Sequence, residues 1–221
     1  MKISIIGTGY VGLVTGVGLA SYGHKVICVD IDKKKIKAIN KGTPPIYEKG
    51  LDKLLKNVLS NKQFLATTDL RSAILNTEIT FIAVPSPSRK DNKIDLSYIR
   101  KVSCQIGSIL SLKDSYHTLV VKSSVVPETC LKVVLPLIEK NSGKKAGKFG
   151  LCMNPEFLQE GQAVDDFMNP DRIIIGELYK KSGDSLVEVY KNFKGNIVRT
   201  SLQNAEMMKY ASNALLGTLI S

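Results

Sequence analysis

The sequence predicts an α/β fold, a doubly wound parallel sheet followed by the start of a long helix. Three observations carry that expectation. Short apolar segments of strand length alternate with longer stretches of helical periodicity. A glycine-rich turn, Gly7-Thr8-Gly9-Tyr10-Val11-Gly12, stands between the first strand and the first helix. An acidic residue, Asp30, closes the second strand about 20 residues further on, the spacing of a dinucleotide-binding unit.

Residues 2–6 form the first apolar strand, small residues carry a helix from the glycine turn to about Tyr22, and 25–29 is the second strand. Further strands are expected at 64–67, 79–84, 118–122, 149–153, 172–176 and 197–200, and helices at 32–41, 51–60, 95–110, 128–140, 182–193 and 203–220. Strands separated by helices of that length are joined by right-handed crossovers that cover both sheet faces. Pro44-Pro45 and Pro85-Ser86-Pro87 mark loops rather than interdomain linkers. The last helix carries Ala214-Leu215-Leu216 and Leu219-Ile220 up to Ser221 without a Gly or Pro stop. Each leucine left in water forgoes roughly 1.5–3 kcal/mol of burial, so a covering partner is expected, either the rest of a longer enzyme or a second subunit.

A chain of 221 residues with 43% hydrophobic content can bury a full core. No apolar run approaches the roughly 20 residues that span a bilayer, and residues 1–6 give way to glycines rather than to a signal-peptide cleavage site. A cytoplasmic protein without a membrane role is expected. Cys28, Cys104, Cys130 and Cys152 form no C-x-x-C pair and lie mostly in apolar segments, as reduced core thiols do. With His24 and His117 the only histidines, no metal site is expected. The net charge of +11 raises nucleic acid as a partner, but the lysines are dispersed and aromatic residues make up 6%. Stacking platforms and a recognition motif are missing. An anionic small molecule suits such a field better.

In the glycine turn, Gly7 permits the tight bend, Gly9 lets backbone approach a pyrophosphate, and Gly12 lets helix and strand pack closely. Tyr10 and Val11 open the helix, whose oriented N–H groups favour a phosphate. Asp30 is placed to accept from the adenine-ribose hydroxyls. A 2′-phosphate at about 5 Å would meet repulsion on the order of 3 kcal/mol per unit charge at an effective dielectric near 20, so NAD is expected rather than NADP. Lys35, in the basic run 33–35 that otherwise reads as a solvated helix face, is assigned to the cofactor side. Ser86 and Ser124 follow strands at their carboxyl ends, where ligand loops belong, although turn formation alone also favours serine there.

The most specific stretch runs from Met153 to Gly176 and contains Asn154-Pro155-Glu156-Phe157-Leu158-Gln159-Glu160-Gly161, then Asp166-Phe167 and Pro170-Asp171-Arg172. Asn154-Pro155-Glu156 alone has a plain reading as a helix start. Glu160, four residues after Glu156, and the rest of the run fall outside that reading. The whole stretch resembles the UDP-glucose/GDP-mannose dehydrogenase family, nucleotide-sugar 6-dehydrogenases. Val84-Pro85-Ser86-Pro87, Lys122-Ser123-Ser124-Val125-Val126-Pro127-Glu128-Thr129 and the helix Ala205-Glu206-x-x-Lys209-x-x-x-Asn213 resemble further motifs of that family. Ser86 and Ser124 stand where threonine is usual, and Glu128 where glycine is usual.

The resemblance implies a Rossmann-like NAD-binding domain at 1–200 and the start of a central connecting and dimerisation helix at 201–221. It implies oxidation of the C6 hydroxyl of a nucleotide sugar to a carboxylate with two NAD, UDP-glucose being the favoured substrate. The intermediate aldehyde is trapped on a cysteine and leaves by thioester hydrolysis. By the same resemblance, Glu156, Phe157, Leu158, Gln159 and Glu160 contact the sugar, and Ser124, Glu156 and Glu160 manage water and protons. Ser86, Ser124 and Glu160 also reach the cofactor side. Lys209 and Asn213, four apart on one helix face, bind the sugar and stabilise the developing oxyanion. Together with Glu206 they form a polar stripe expected to face a wet cleft.

None of the four cysteines lies in a Gly-rich loop after that helix, where the family keeps its nucleophile. Three readings stay open: the N-terminal half of such a dehydrogenase, acting as a homo-oligomer or with a separate C-terminal half; a non-catalytic NAD-binding remnant; and a hydroxyacid dehydrogenase of related fold.

Overall fold

Isoleucine, valine and threonine crowd the backbone at Cβ and favour extended chain. In a computed structural model, which describes residues 1–220, eight strands form around such residues: β1 (Lys2–Ile6), β2 (Lys25–Val29), β3 (Phe64–Thr67), β4 (Ile79–Ile82), β5 (Thr118–Val121), β6 (Gly150–Met153), β7 (Arg172–Glu177) and β8 (Asn196–Ser201). They make one sheet in the order β3-β2-β1-β4-β5-β6-β7-β8. Every residue of β4, β5 and β6 is buried, as strands covered on both faces require. Helices α1 (Tyr10–Ser21), α2 (Lys33–Asn40), α3 (Leu51–Ser60), α7 (Ala163–Met168) and α8 (Lys180–Tyr190) bury their apolar residues in one core layer. The opposite layer holds α4 (Leu70–Leu75), α5 (Ser97–Leu110), α6 (Leu135–Ser142) and the first turns of α9 (Leu202–Ile220). The doubly wound α/β expectation holds. Ser221 and the side chains of Leu216, Leu219 and Ile220, on which part of the expected apolar terminus rests, lie outside the described residues.

Three features depart from the expectation. β1 to β6 are mutually parallel, but β7 pairs with β6 antiparallel, Met153 opposite Gly176, and β8 runs parallel to β7. A parallel neighbour needs a crossover that carries the chain back to the starting edge. The connection after β6 contains only the six-residue α7, so the chain turns round at the carboxyl edge instead. Only Gly176 and Glu177 of β7 pair with β6, so the start of β7 stands beyond that edge as a wall.

The helix expected over 128–140 is split. A π-helical turn spans Cys130–Val134 and continues into α6, which has proline at its start. Pro136 cannot donate an N–H to the preceding turn, and a wider turn absorbs the mismatch. Helices α4 and α7, with six residues each, are too short to show periodicity and were not expected.

At the amino edge of the sheet a buried polar chain replaces apolar packing. Lys113 Nζ donates to Ile74 O at 2.8 Å and to Thr77 O, and lies 3.0 Å from His117 Nδ1. His117 Nδ1 also lies 3.1 Å from Thr77 O, and its Nε2 lies 2.7 Å from Thr80 Oγ1. Thr80 Oγ1 in turn is 2.6 Å from Ser4 Oγ. Burial, then the Lys113 charge, pushes the His117 pKa down to about 3.

The unfolded chain takes up this proton near pH 6.5, the folded chain only near pH 3, so acidification through that window favours unfolding. Urea titrations of the wild type between pH 7 and pH 3.5 should lose up to about 4 kcal/mol from this group, and His117→Gln should flatten the pH dependence. An unchanged slope in the variant would remove His117 as its cause.

Candidate functional site

The glycine turn is built by close approach. Gly7 has φ +100, and a Cβ there would sit 2.4 Å from Ala83 O. A Cβ on Gly12 would sit 2.0 Å from Gly7 O, whereas one on Gly9 would meet nothing within 4 Å. Gly7 and Gly12 therefore close the turn, and Gly9 leaves open space over it. α1 has no side-chain cap and no acid in its first turn, so the N–H groups from Tyr10 onward keep their capacity for an anion.

Asp30 stands beside the turn, with Oδ2 accepting from Thr8 N at 2.9 Å and Thr8 Oγ1 at 2.6 Å, and Oδ1 from Asp32 N at 3.0 Å. Burial raises its pKa, but these hydrogen bonds and the Lys35 charge outweigh burial and hold it below the ordinary carboxylate value. A carboxylate accepts about four hydrogen bonds, so capacity remains for a ribose hydroxyl. The open space at Gly9, the uncapped helix and the ionised Asp30 fit a dinucleotide.

Loops after β4 and β5 meet at the carboxyl edge, where Ser86 Oγ donates to Ser124 O at 2.7 Å and Ser123 Oγ to Val84 O at 2.6 Å. Glu128, in the position where the resembling family has glycine, adopts φ +72, a left-handed conformation that costs a non-glycine residue roughly 1–2 kcal/mol. Glu206 offsets that cost. Its fully buried carboxylate accepts from Glu128 N at 2.6 Å and Cys130 N at 2.8 Å, capping from α9 a helical segment that has no side-chain cap of its own. Burial raises the Glu206 pKa, and the donated N–H groups oppose the rise. Glu206 therefore holds a loop and does not share the cleft with Lys209 and Asn213, contrary to the expected polar stripe.

A cavity of about 370 Å³ opens between the segment after β6, the start of β7 and α9. It brings together Glu156, Phe157, Leu158, Gln159, Lys209 and Asn213. Ser124 and Glu160 are not among its lining residues: Ser124 is half-buried in the loop after β5, and Glu160 is exposed on a turn beside the cavity. At the centre Lys209 Nζ lies 3.0 Å from Glu156 Oε1, with 8% and 12% of the two side chains exposed. Glu156 Oε2 also accepts from Leu158 N at 2.7 Å. The Phe157 ring lies within cation–π reach of Arg172, at 5.2 Å, and of Lys209, at 5.5 Å.

Sequence reasoning missed Lys122. It is buried on the cavity wall and donates to Asn154 Oδ1 at 2.9 Å. Burial brings its pKa down to about 8, with Lys209 adding to the fall and Glu156 opposing it. Asn154 Oδ1 also accepts from the Tyr190 hydroxyl at 2.7 Å, and its Nδ2 donates to Ile174 O at 2.8 Å. Asn154 thus ties four segments together instead of capping a helix, and 154–159 is irregular chain. A lysine ending an otherwise apolar strand was the available signal for Lys122. Arg172 was visible only as the last residue of a motif.

A thermodynamic cycle over Glu156→Gln, Lys209→Met and their double variant should give a coupling of about 1–3 kcal/mol in urea unfolding, since removing one partner strands the other's charge in a largely dry site. Additive single effects would show that the pair is solvated and weak.

Comparison with known proteins fits this geometry. Residues 1–194 match the UDP-glucose/GDP-mannose dehydrogenase family, NAD binding domain. GDP-mannose 6-dehydrogenase of Pseudomonas aeruginosa is 45% identical over 214 residues, which cover 96% of this chain and 49% of that protein. UDP-glucose 6-dehydrogenase AglM of Haloferax volcanii is 42% identical over 227 residues, covering 100% of this chain and 52% of that protein. The crystal structure of a ternary complex of GDP-mannose dehydrogenase from Pseudomonas aeruginosa superposes with a TM-score of 0.98 at 44% identity, over 100% of this chain and 51% of that one. The chain spans about half the length of the curated relatives it matches. It belongs to the UDP-glucose/GDP-mannose dehydrogenase family, corresponds to the N-terminal half of its members, and has NAD as its cofactor.

Proposed function

We propose that this chain is the cofactor-binding half of a dehydrogenase that oxidises the C6 hydroxyl of a nucleotide sugar to the carboxylate. The observation that carries the reading is the Glu156–Lys209 pair, 3.0 Å apart in a cavity whose wall at Gln159 is hydrogen-bonded to Tyr10 of the glycine turn. Reacting carbon and hydride acceptor must lie side by side, and this contact joins their two candidate sites. NAD, when bound, supplies the hydride acceptor. Lys209 and Asn213 donate to the oxygen that gains charge at C6, and pre-aimed donors of this kind carry much of such catalysis. Glu156, paired with Lys209, exchanges a proton with the substrate or with water. Lys122 adds a second positive charge behind Asn154 and favours an anion in the cavity. The cysteine step belongs to the part of the relatives that this chain does not span.

UDP-glucose is the substrate expected from the sequence, and GDP-mannose is named for a relative 45% identical, so both are assayed. The chain joined to, or mixed with, a C-terminal half of the family should form NADH with one of them, and Lys209→Met should lower kcat about 10²–10³-fold. Oxidation of a small hydroxyacid with neither nucleotide sugar turned over would favour the related-fold reading instead.

Cofactor binding separates the two kinds of glycine. Gly9→Ala should fold with its melting temperature unchanged but bind NAD at least about 10-fold more weakly, because the added methyl occupies only the space over the turn. Gly12→Ala should lose the native fold, since its methyl meets Gly7 O. Equal effects of the two substitutions on melting and on NAD titration would show that Gly9 serves the turn alone.

A further inference from the structure

We propose that Tyr10 and Glu48 are positioning residues that fasten the Gln159–Gly161 turn to the start of α1, so that a dinucleotide on the glycine turn orders the segment carrying Glu160. The inference rests on the dinucleotide reading given above.

Glu48 lies in the loop between α2 and α3, and only 5% of it is exposed. A buried carboxylate is costly unless paired, and Glu48 finds its donors more than a hundred residues away. Oε1 accepts from Gly161 N at 2.7 Å and Oε2 from Ala163 N at 3.2 Å. Tyr10, the first residue of α1, donates its hydroxyl to Gln159 O at 2.8 Å. Burial, then the nearby negative charges of Glu48, Glu160 and Asp166, raises the Tyr10 pKa, so the phenol keeps the proton that it donates to Gln159 O. On the far side Gln159 N donates to Asp166 Oδ2 at 2.7 Å. Gly161, at φ +88, provides the left-handed bend that lets 159 and 161 face these partners.

Glu160 is therefore exposed on a turn held at both flanking residues. One anchor, Tyr10, belongs to the uncapped helical turn whose N–H groups would face a bound pyrophosphate. Ordering that first turn removes freedom from the Tyr10 ring, and the ring passes the restraint to Gln159 through one hydrogen bond. Such coupling through restricted motion needs no displacement of the backbone.

Hydrogen–deuterium exchange over residues 156–168 tests this in the wild type, Tyr10→Phe and Glu48→Gln, each with and without NAD at a concentration saturating that protein. Protection retained in β4 and β5 verifies that each variant is folded. In the wild type, NAD should slow exchange at 159–163 about five-fold or more, and Tyr10→Phe should abolish the slowing. Glu48→Gln should speed exchange at 161 and 163 and shrink the NAD effect. Undiminished slowing in Tyr10→Phe overturns the inference, as does NAD binding to the wild type without protection at 159–163. Faster exchange by one factor with and without NAD would mean a purely structural contact and also overturns it. Failure of the folded wild type to bind NAD overturns the dinucleotide reading first.

Discussion

The reversal of chain direction after β6 decides where the rest of the site can be. Because the connection to β7 lacks a crossover helix, residues 154–171 stay at the carboxyl edge of the sheet, the edge at which the glycine turn also lies. β7 and β8 then run away from that edge, and α9 follows them back along the opposite core layer. Seven residues after Leu202, a rise of about 10 Å, Lys209 reaches Glu156. Had β7 joined the sheet in parallel, Arg172 and Lys209 would both be displaced from the segment they now flank.

Buried and half-buried carboxylates do much of the joining between distant segments. Asp30 holds Thr8, Glu206 holds the backbone at 128–130, and Glu48 holds the backbone at 161–163. Each accepts from backbone N–H groups of another part of the chain, and hydrogen bonds to an ionised acceptor are about twice as strong as neutral ones. A side chain that ends in two acceptors can satisfy two donors at once, so one residue fixes both position and tilt of a loop. Glu156 differs, since its main partner is the Lys209 ammonium and its surroundings open to the cavity. Caps of this kind hold the loops, whereas the charged pair faces the cavity.

Much of the fold was legible because its signals are local. Six parallel strands, the glycine turn and Asp30 follow from apolar runs, turn residues and spacing, and the motif at 153–176 marked the cavity wall. What the sequence concealed depends on partners far along the chain. The direction of β7 is set by the length of a connection whose helix α7 is too short to see. Glu48 carries no motif of its own, and its role exists only because residues 161 and 163 fold over it. Glu206 shares a helical face with Lys209 by spacing, yet the loop at 128–130 covers it. Glu160 was placed beside Glu156 by the resemblance of the run 154–161, and the irregular chain at 154–159 carries it to an exposed turn instead. Lys122 was marked only by its place at the end of an apolar strand, and its partner Asn154 lies 32 residues further on.

The π-helical turn at Cys130–Val134 has an angular consequence. One residue beyond the α-helical count advances the chain by about 100° around its axis. The apolar side of α6 can thereby keep its seat against the core while the preceding backbone faces α9 and Glu206. Without that extra residue, one of the two surfaces would have to rotate out of register. The bulge thus acts as a phase adjuster between a packing face and a loop that must aim at a neighbouring helix.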